Sequence, residues 1–365
     1  MRLFNKLYVL FSLAACSLLY SGWILASHHY KVVPTMSTPS FRVAPTFQHR
    51  LVVFGDSWSD NDAEGLPGFV WTDWLCSLYS CHHENMAQTV QSSSLSLTSS
   101  KGKYVGAVVD NSQLDSSGSL LEGLYKQPLA DFGEQADQWL TAELNTFKGL
   151  SADAISERQN NTIVAVSFGV WDLWNLIGKD IDTAKQSAEA SIATLMDQLT
   201  VVAERWGTND MKVILTLAPD VTFLPAFEPT ADRHKDTIQV FNHWNKKLRD
   251  SAQDWARGTV YLFDTNAFLL DVLRDWQLFA AGIEEENGLG KNEDPGWENV
   301  EDPCVQDTQK FRLMSSGSDQ CDKPDKYLFW DEMHLGPSAH RLMGTEIFHG
   351  IEEMWLKQKE TTSRT

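Results

Sequence analysis

The sequence predicts an α/β fold: a three-layer α/β/α sandwich in which a mostly parallel central sheet lies between two layers of helices. Short apolar runs of strand length recur along the chain, and stretches with helical spacing separate them. The runs are continuous rather than alternating, as in strands buried on both faces. Helices packed on both sides of a parallel sheet are the arrangement that buries such strands. Three of the runs also end in small, polar or turn-forming residues. Open sheets of this class gather their functional groups at the carboxyl ends of strands.

In chain order, Leu51-Val52-Val53-Phe54 reads as the first strand and exits into Gly55-Asp56-Ser57. Thr162 through Phe168 is the next, ending at Gly169. Lys212 through Leu217 follows, ending at Ala218-Pro219-Asp220, and Thr259 through Phe263 is another. Helical spacing covers residues 184–206, 238–255 and 337–355. The serine turn, the segment from Gly169 to Asn175 and the loop at Pro219 should therefore meet at one end of the sheet.

With 365 residues and 42% hydrophobic content, the chain can bury a substantial core. Its net charge of −19 argues against nucleic acid as a partner. Arg2 and Lys6 precede an uncharged stretch from Leu7 to Ala26. That length can cross a hydrocarbon core of roughly 30 Å. Residues 1–27 thus read as a signal anchor, with Ile24 at the position where a cleaved signal peptide prefers a small residue; cleavage is the competing reading. Either way the domain lies outside the cytosol, and membrane contact is through this segment. Residues 28–48 hold Pro34, Pro39 and Pro45 without periodicity and read as a flexible stalk. The domain is expected over 49–358, with 359–365 a disordered tail and 91–100 a serine-rich loop.

Setting aside Cys16 in the apolar segment, four cysteines remain. Cys76–Cys81 and Cys304–Cys321 are the simplest of three possible pairings, and an oxidising compartment would preserve them. Cys81-His82-His83 matches no strong zinc spacing, so no metal and no cofactor are expected. Asn160 opens a glycosylation sequon. Residues 288–321 form a long acidic excursion that could border the site; it reads as a stapled surface loop, with a moving lid as the competing reading.

Ser57 acquires meaning from Asp331-Glu332-Met333-His334, far along the chain. A serine hydroxyl is a poor nucleophile near neutral pH; it needs a base, and the base needs an orienting partner. Taken singly, Ser57 reads as a strand-closing turn, Asp331 as a helix N-terminal acid and His334 as a structural histidine. Together each answers a need of the others.

The chain resembles the SGNH/GDSL family of serine esterases, lipases and acylhydrolases. The resemblance rests on Phe54-Gly55-Asp56-Ser57 and Asp331-Glu332-Met333-His334 and spans roughly residues 50 to 355. Trp58-Ser59-Asp60, Phe329-Trp330, Trp71 to Cys76 and Ser167 to Trp174 look like the fungal-type branch. The resemblance implies Ser57 as nucleophile, His334 as base and Asp331 as orienter. It also implies an oxyanion hole built from the serine N–H, a glycine N–H from a second segment and an asparagine side chain from a third. The second segment is expected at Glu84 to Gln88, around Asn85, where no glycine stands. The third has Asp172 where an asparagine is expected. Three readings remain open: Asp172 is protonated by burial and donates; Asp172 points away while Trp171 or Asn175 donates; or the site is slow or inactive.

The chain has 14 tryptophans, and Trp58, Trp71, Trp74, Trp171 and Trp174 fall near the site segments. Their faces could stack on sugar rings or simply pack the core. The expected function is a carboxylic-ester hydrolase acting on short-chain acyl esters such as carbohydrate acetates, or on lipid esters. The alternatives are a glycan- or lipid-binding module without activity, and an acyltransferase.

Overall fold

The computed structural model describes residues 43–62, 68–89, 106–114, 129–227, 230–283, 296–306 and 319–356. All of these lie in one compact unit, Val43–Thr365. The signal or anchor segment, residues 28–42 of the stalk, the serine-rich loop and the tail lie outside the described residues.

Five strands form the central sheet: β1 (Arg50–Gly55), β2 (His82–Asn85), β3 (Thr162–Ser167), β4 (Met211–Leu217) and β5 (Gly258–Asp264). Their order is β2-β1-β3-β4-β5, and every pairing is parallel. Each residue of β1 and β3 is buried, as their unbroken apolar runs require. Among the described residues eight α-helices accompany the strands: α1 (Trp71–Tyr79), α2 (Phe132–Phe147), α3 (Ala152–Asn160), α4 (Val170–Trp174), α5 (Ile181–Trp206), α6 (Ala231–Asp254), α7 (Thr265–Ala280) and α8 (Pro337–Ile351). The layer on one side pairs α1 with α8, and the other carries α2, α5 and α6 in series. Among the described residues no helix is long and apolar enough to cross a membrane.

The spans 184–206, 238–255 and 337–355 fall within or across α5, α6 and α8. Helices α1, α2, α3, α4 and α7 and strand β2 were not anticipated. Strand β2 is His-His-Glu-Asn, with no apolar residue to mark it. It forms because Glu84 points inward to Arg50, the fully buried first residue of β1. Arg50 Nη1 donates to Glu84 at 3.2 Å, and Nη1 and Nη2 donate to Glu143 of α2 at 2.9 and 2.7 Å. Arg158 of α3 donates to the same Glu143 through Nε and Nη2, both at 2.7 Å. Burial alone would raise the Glu143 pKa, but hydrogen bonds and charge from the two arginines hold it below the usual value.

This network also corrects the start of the domain. Residues 43–48 are not part of a free stalk. Ala44 N–H donates to Glu84 at 3.0 Å, and the Ala44 carbonyl accepts from Arg158 at 2.7 Å. The Phe47 ring lies under both guanidinium groups, at 4.5 and 4.7 Å.

Both expected disulfides are present, Cys76–Cys81 and Cys304–Cys321. The second belongs to a stretch that runs beside the segment leading to Asp331. Leu328 N–H donates to Asn299 O, and the N–H groups of Cys304 and Val305 donate to Phe329 O and Trp330 O. The described part of the acidic excursion is therefore a brace for that segment.

Removing Glu143 would leave two buried guanidinium groups without most of their charge compensation. Glu143→Ala should cost about 3–5 kcal/mol of unfolding free energy. Urea denaturation followed by tryptophan fluorescence checks this; a loss comparable to an exposed substitution would count against the network.

Candidate active site

Strand β1 leads to β2 on one side of the sheet, and the chain then crosses to β3 on the other. The carboxyl ends of β1 and β3 thus flank the point where strand order reverses, where open α/β sheets leave a crevice. The β1 exit is held rigidly there. Gln135 of α2 accepts from Gly55 N–H at 2.9 Å and donates to the Gly55 carbonyl at 3.0 Å. Asp56 then forms the turn, its carboxylate accepting from Trp58 N–H at 3.0 Å. Ser57 sits at the top of this turn and is fully buried.

The loop before α8 brings the other two groups. Asp331 Oδ1 accepts from the backbone N–H of Met333 and of His334, both at 2.8 Å. This tight turn places the imidazole beside the carboxylate, with Nδ1 at 2.9 Å from both oxygens. A carboxylate offers only acceptors, so the ring proton belongs on Nδ1. Nε2 is then free to accept the Ser57 hydroxyl proton, and it lies 2.9 Å from Ser57 Oγ across 277 positions of chain.

A second ring reaches the same oxygen. Gly169 opens α4 at φ 127°, a left-handed conformation that favours glycine. From that helix Trp171 Nε1 donates to Ser57 Oγ at 3.0 Å. The indole has room because position 106 is a glycine: a Cβ there would fall 2.0 Å from Nε1. Gly106 thus lies against the indole that meets Ser57, whereas no glycine stands at Glu84 to Gln88. Its only signal in the sequence was a Gly-Ala pair ahead of Val108-Val109-Asp110-Asn111.

The family described as GDSL-like lipase/acylhydrolase matches residues 51–347. The chain belongs to the GDSL-like lipase/acylhydrolase family. No curated protein matches it. Among solved structures it is similar to a GDSL-like lipase of Parabacteroides merdae, at 9% identity and TM-score 0.36, over 85% of this chain and 98% of that one. It is also similar to LAE5, an alpha/beta hydrolase enzyme from the metagenome of Lake Arreo, at 12% identity and TM-score 0.26, over 63% of this chain and 80% of that one. At these TM-scores neither likeness carries an argument.

Within this GDSL-like site the other expected donors point elsewhere. Asp172 does not face the serine: its Oδ1 accepts from Val109 N–H at 3.1 Å, and its Oδ2 is buried with no hydrogen-bond partner among the described residues. Asn175 donates to the Trp171 carbonyl at 2.8 Å and so supports α4. Asn85 donates to the Ser59 carbonyl at 2.6 Å and to Asn61 at 3.1 Å, bracing the serine turn rather than meeting the hydroxyl. Trp58, Trp71 and Trp171 are buried at 3%, 0% and 5% exposure, so they pack rather than present a stacking face. Asn160, by contrast, is exposed at the end of α3.

Acidic groups crowd the imidazole. Burial lowers the His334 pKa, but the Asp331 charge and hydrogen bond, helped by Asp56 and Asp60, raise it above the ordinary value. Burial would raise Asp331, yet the His334 charge and hydrogen bond and two backbone N–H groups hold it below the carboxylate range. Asp56 and Asp172 go the other way. Desolvation pushes each up to about 7, against backbone N–H donors that favour the ionised form, and the charge of Asp56 adds to the rise at Asp172.

A raised carboxyl pKa contributes stability that is complete below the unfolded value and is lost as pH climbs through the folded one. For Asp172 the window runs from 3.8 to about 7. The shift corresponds to about 4 kcal/mol at most. Asp172→Asn mimics the protonated acid. Its melting-temperature advantage over wild type should be small near pH 4 and grow to several degrees above pH 8. Calorimetry at the two pH values checks this, and an equal difference at both would contradict it.

Proposed function

We propose that the chain is a serine carboxylic-ester hydrolase, with Ser57 as nucleophile, His334 as general base and acid, and Asp331 as orienter. The observation that carries this reading is the unbroken hydrogen-bonded series from Asp331 through His334 to the Ser57 hydroxyl. In this mechanism Ser57 Oγ attacks the ester carbonyl as its proton passes to His334 Nε2. Asp331 keeps the ring in the required tautomer and stabilises the imidazolium. The alcohol leaves with the proton from His334. Water then repeats the sequence on the acyl-enzyme. These side chains suffice for each step, so no cofactor is invoked.

For the oxyanion, the proposed donors are the N–H groups of Ser57 and Gly106 and the indole Nε1–H of Trp171. The indole takes the place that an asparagine amide was expected to fill. Preorganised donors of this sort act on charge that develops only in the transition state. The proposed substrates are short-chain acyl esters such as carbohydrate acetates, with lipid esters second. The tryptophan-rich motifs are the ground for placing the chain in a fungal-type branch. Two disulfides support a domain in an oxidising compartment, either secreted or held by the N-terminal segment, with Asn160 as a glycosylation site.

A panel of p-nitrophenyl esters across pH tests the reading. Wild type should cleave the acetate, and Ser57→Ala should abolish turnover and covalent labelling by a fluorophosphonate. Hydrolysis unaffected in Ser57→Ala would end the proposal. Trp171→Phe keeps an aromatic ring but loses the donor, and kcat should fall about 100-fold. Because the base must be neutral, the acidic limb of kcat/KM should lie above the ordinary histidine value. Asp331→Asn should move that limb to lower pH.

A further inference from the structure

We propose that Trp58 is a positioning residue that fixes the His334 imidazole by clamping the peptide unit from which that residue hangs; this rests on the hydrolase reading of the site. The indole Nε1–H of Trp58 donates to the Met333 carbonyl at 2.9 Å, across 275 positions of chain. That carbonyl and the His334 N–H belong to one planar peptide unit. In the trans form they point in opposite directions. The N–H end is held by Asp331 Oδ1 at 2.8 Å and the carbonyl end by Trp58. With both ends gripped, the plane cannot rotate, and the direction in which His334 leaves the backbone is set.

Trp58 is also the neighbour of Ser57 in the chain. Its backbone N–H is bound to Asp56 at 3.0 Å, and its side chain is 3% exposed. The indole is therefore anchored to the same turn that carries the hydroxyl. A closed ring results: Ser57, Trp58, the Met333–His334 peptide, the imidazole, and back to Ser57 through the 2.9 Å contact at Nε2. The His334 carbonyl is separately fixed by Trp330 N–H at 2.9 Å, so the histidine is held on both sides of its Cα. Without the indole donor, the Met333 carbonyl is released and the ring relies on its weakest link, the proton-passing contact itself.

Trp58→Phe preserves most of the ring volume and removes only the donor. Its kcat on p-nitrophenyl acetate should fall by about 10- to 100-fold, as misplacement of a reacting group does. KM should stay within about twofold, because the indole does not face substrate. The acidic limb should also move to lower pH, since a loosened loop weakens the Asp331–His334 pairing. Trp355→Phe serves as control: that buried indole has no hydrogen-bond partner among the described residues, and its loss should leave kcat unchanged. A folded Trp58→Phe with wild-type kcat and pH profile overturns the clamp.

Should that variant not fold, hydrogen exchange of the Trp58 indole N–H in wild type decides the matter. Strong protection is expected, and exchange as fast as an exposed indole overturns the proposal. Fluorophosphonate labelling of wild-type Ser57 keeps the two questions apart. An unlabelled serine rejects the hydrolase reading, whereas a labelled serine with a freely exchanging indole rejects only the clamp.

Discussion

One hydrogen bond, from the Ser57 hydroxyl to His334 Nε2, is what the site depends on, and most of the surrounding structure holds its two ends in place. The serine end is built from the exit of β1, pinned by Gln135 on both backbone groups of Gly55. The histidine end is a loop, and loops are intrinsically mobile. Here it is fastened by its own Asp331, by Trp58 from the serine turn, and by a disulfide-braced stretch alongside. A contact of 2.9 Å between segments so distant needs several such restraints, because each side chain loses rotamer freedom to make it.

The surroundings of the imidazole are acidic. Asp331, with Asp56 and Asp60 helping, favours a protonated imidazole, as the proposed general base would need after taking a proton. More ionised carboxylates there would oppose the oxyanion of the proposed mechanism. Burial resolves the conflict by raising Asp56 and Asp172 so that both hold protons more readily. Asp331 alone, with direct contact to the ring and two backbone donors, is held firmly ionised.

At the opposite end of β1 a second polar cluster anchors the strand. Arg50 and Arg158 face Glu84 and Glu143 away from solvent, with Phe47 stacked beneath. Such a network is costly to break because any lost partner strands a buried charge. It explains why an edge strand can be made of His-His-Glu-Asn and why residues 43–48 pack. Strand β1 is thereby specified at its start by ion pairs, along its length by apolar burial, and at its end by Gln135.

The fold class was legible because buried parallel strands announce themselves as continuous apolar runs, and Leu51–Phe54 and Thr162–Ser167 are such runs. So was the meeting of Ser57, His334 and Asp331, since hydroxyl, imidazole and carboxylate are chemically distinct groups. Strand β2 was not legible, because its stability comes from Arg50, a residue remote in sequence. Nor was the donor that faces the hydroxyl. The identities of Trp171 and Asp172 were plain, but which of the two points at Ser57 depends on the left-handed turn at Gly169 and on the space left by Gly106. Side-chain direction and shared space are properties of packed segments, and only the tertiary structure decides them; what the sequence determined by itself was the hydrophobic pattern and the chemical repertoire.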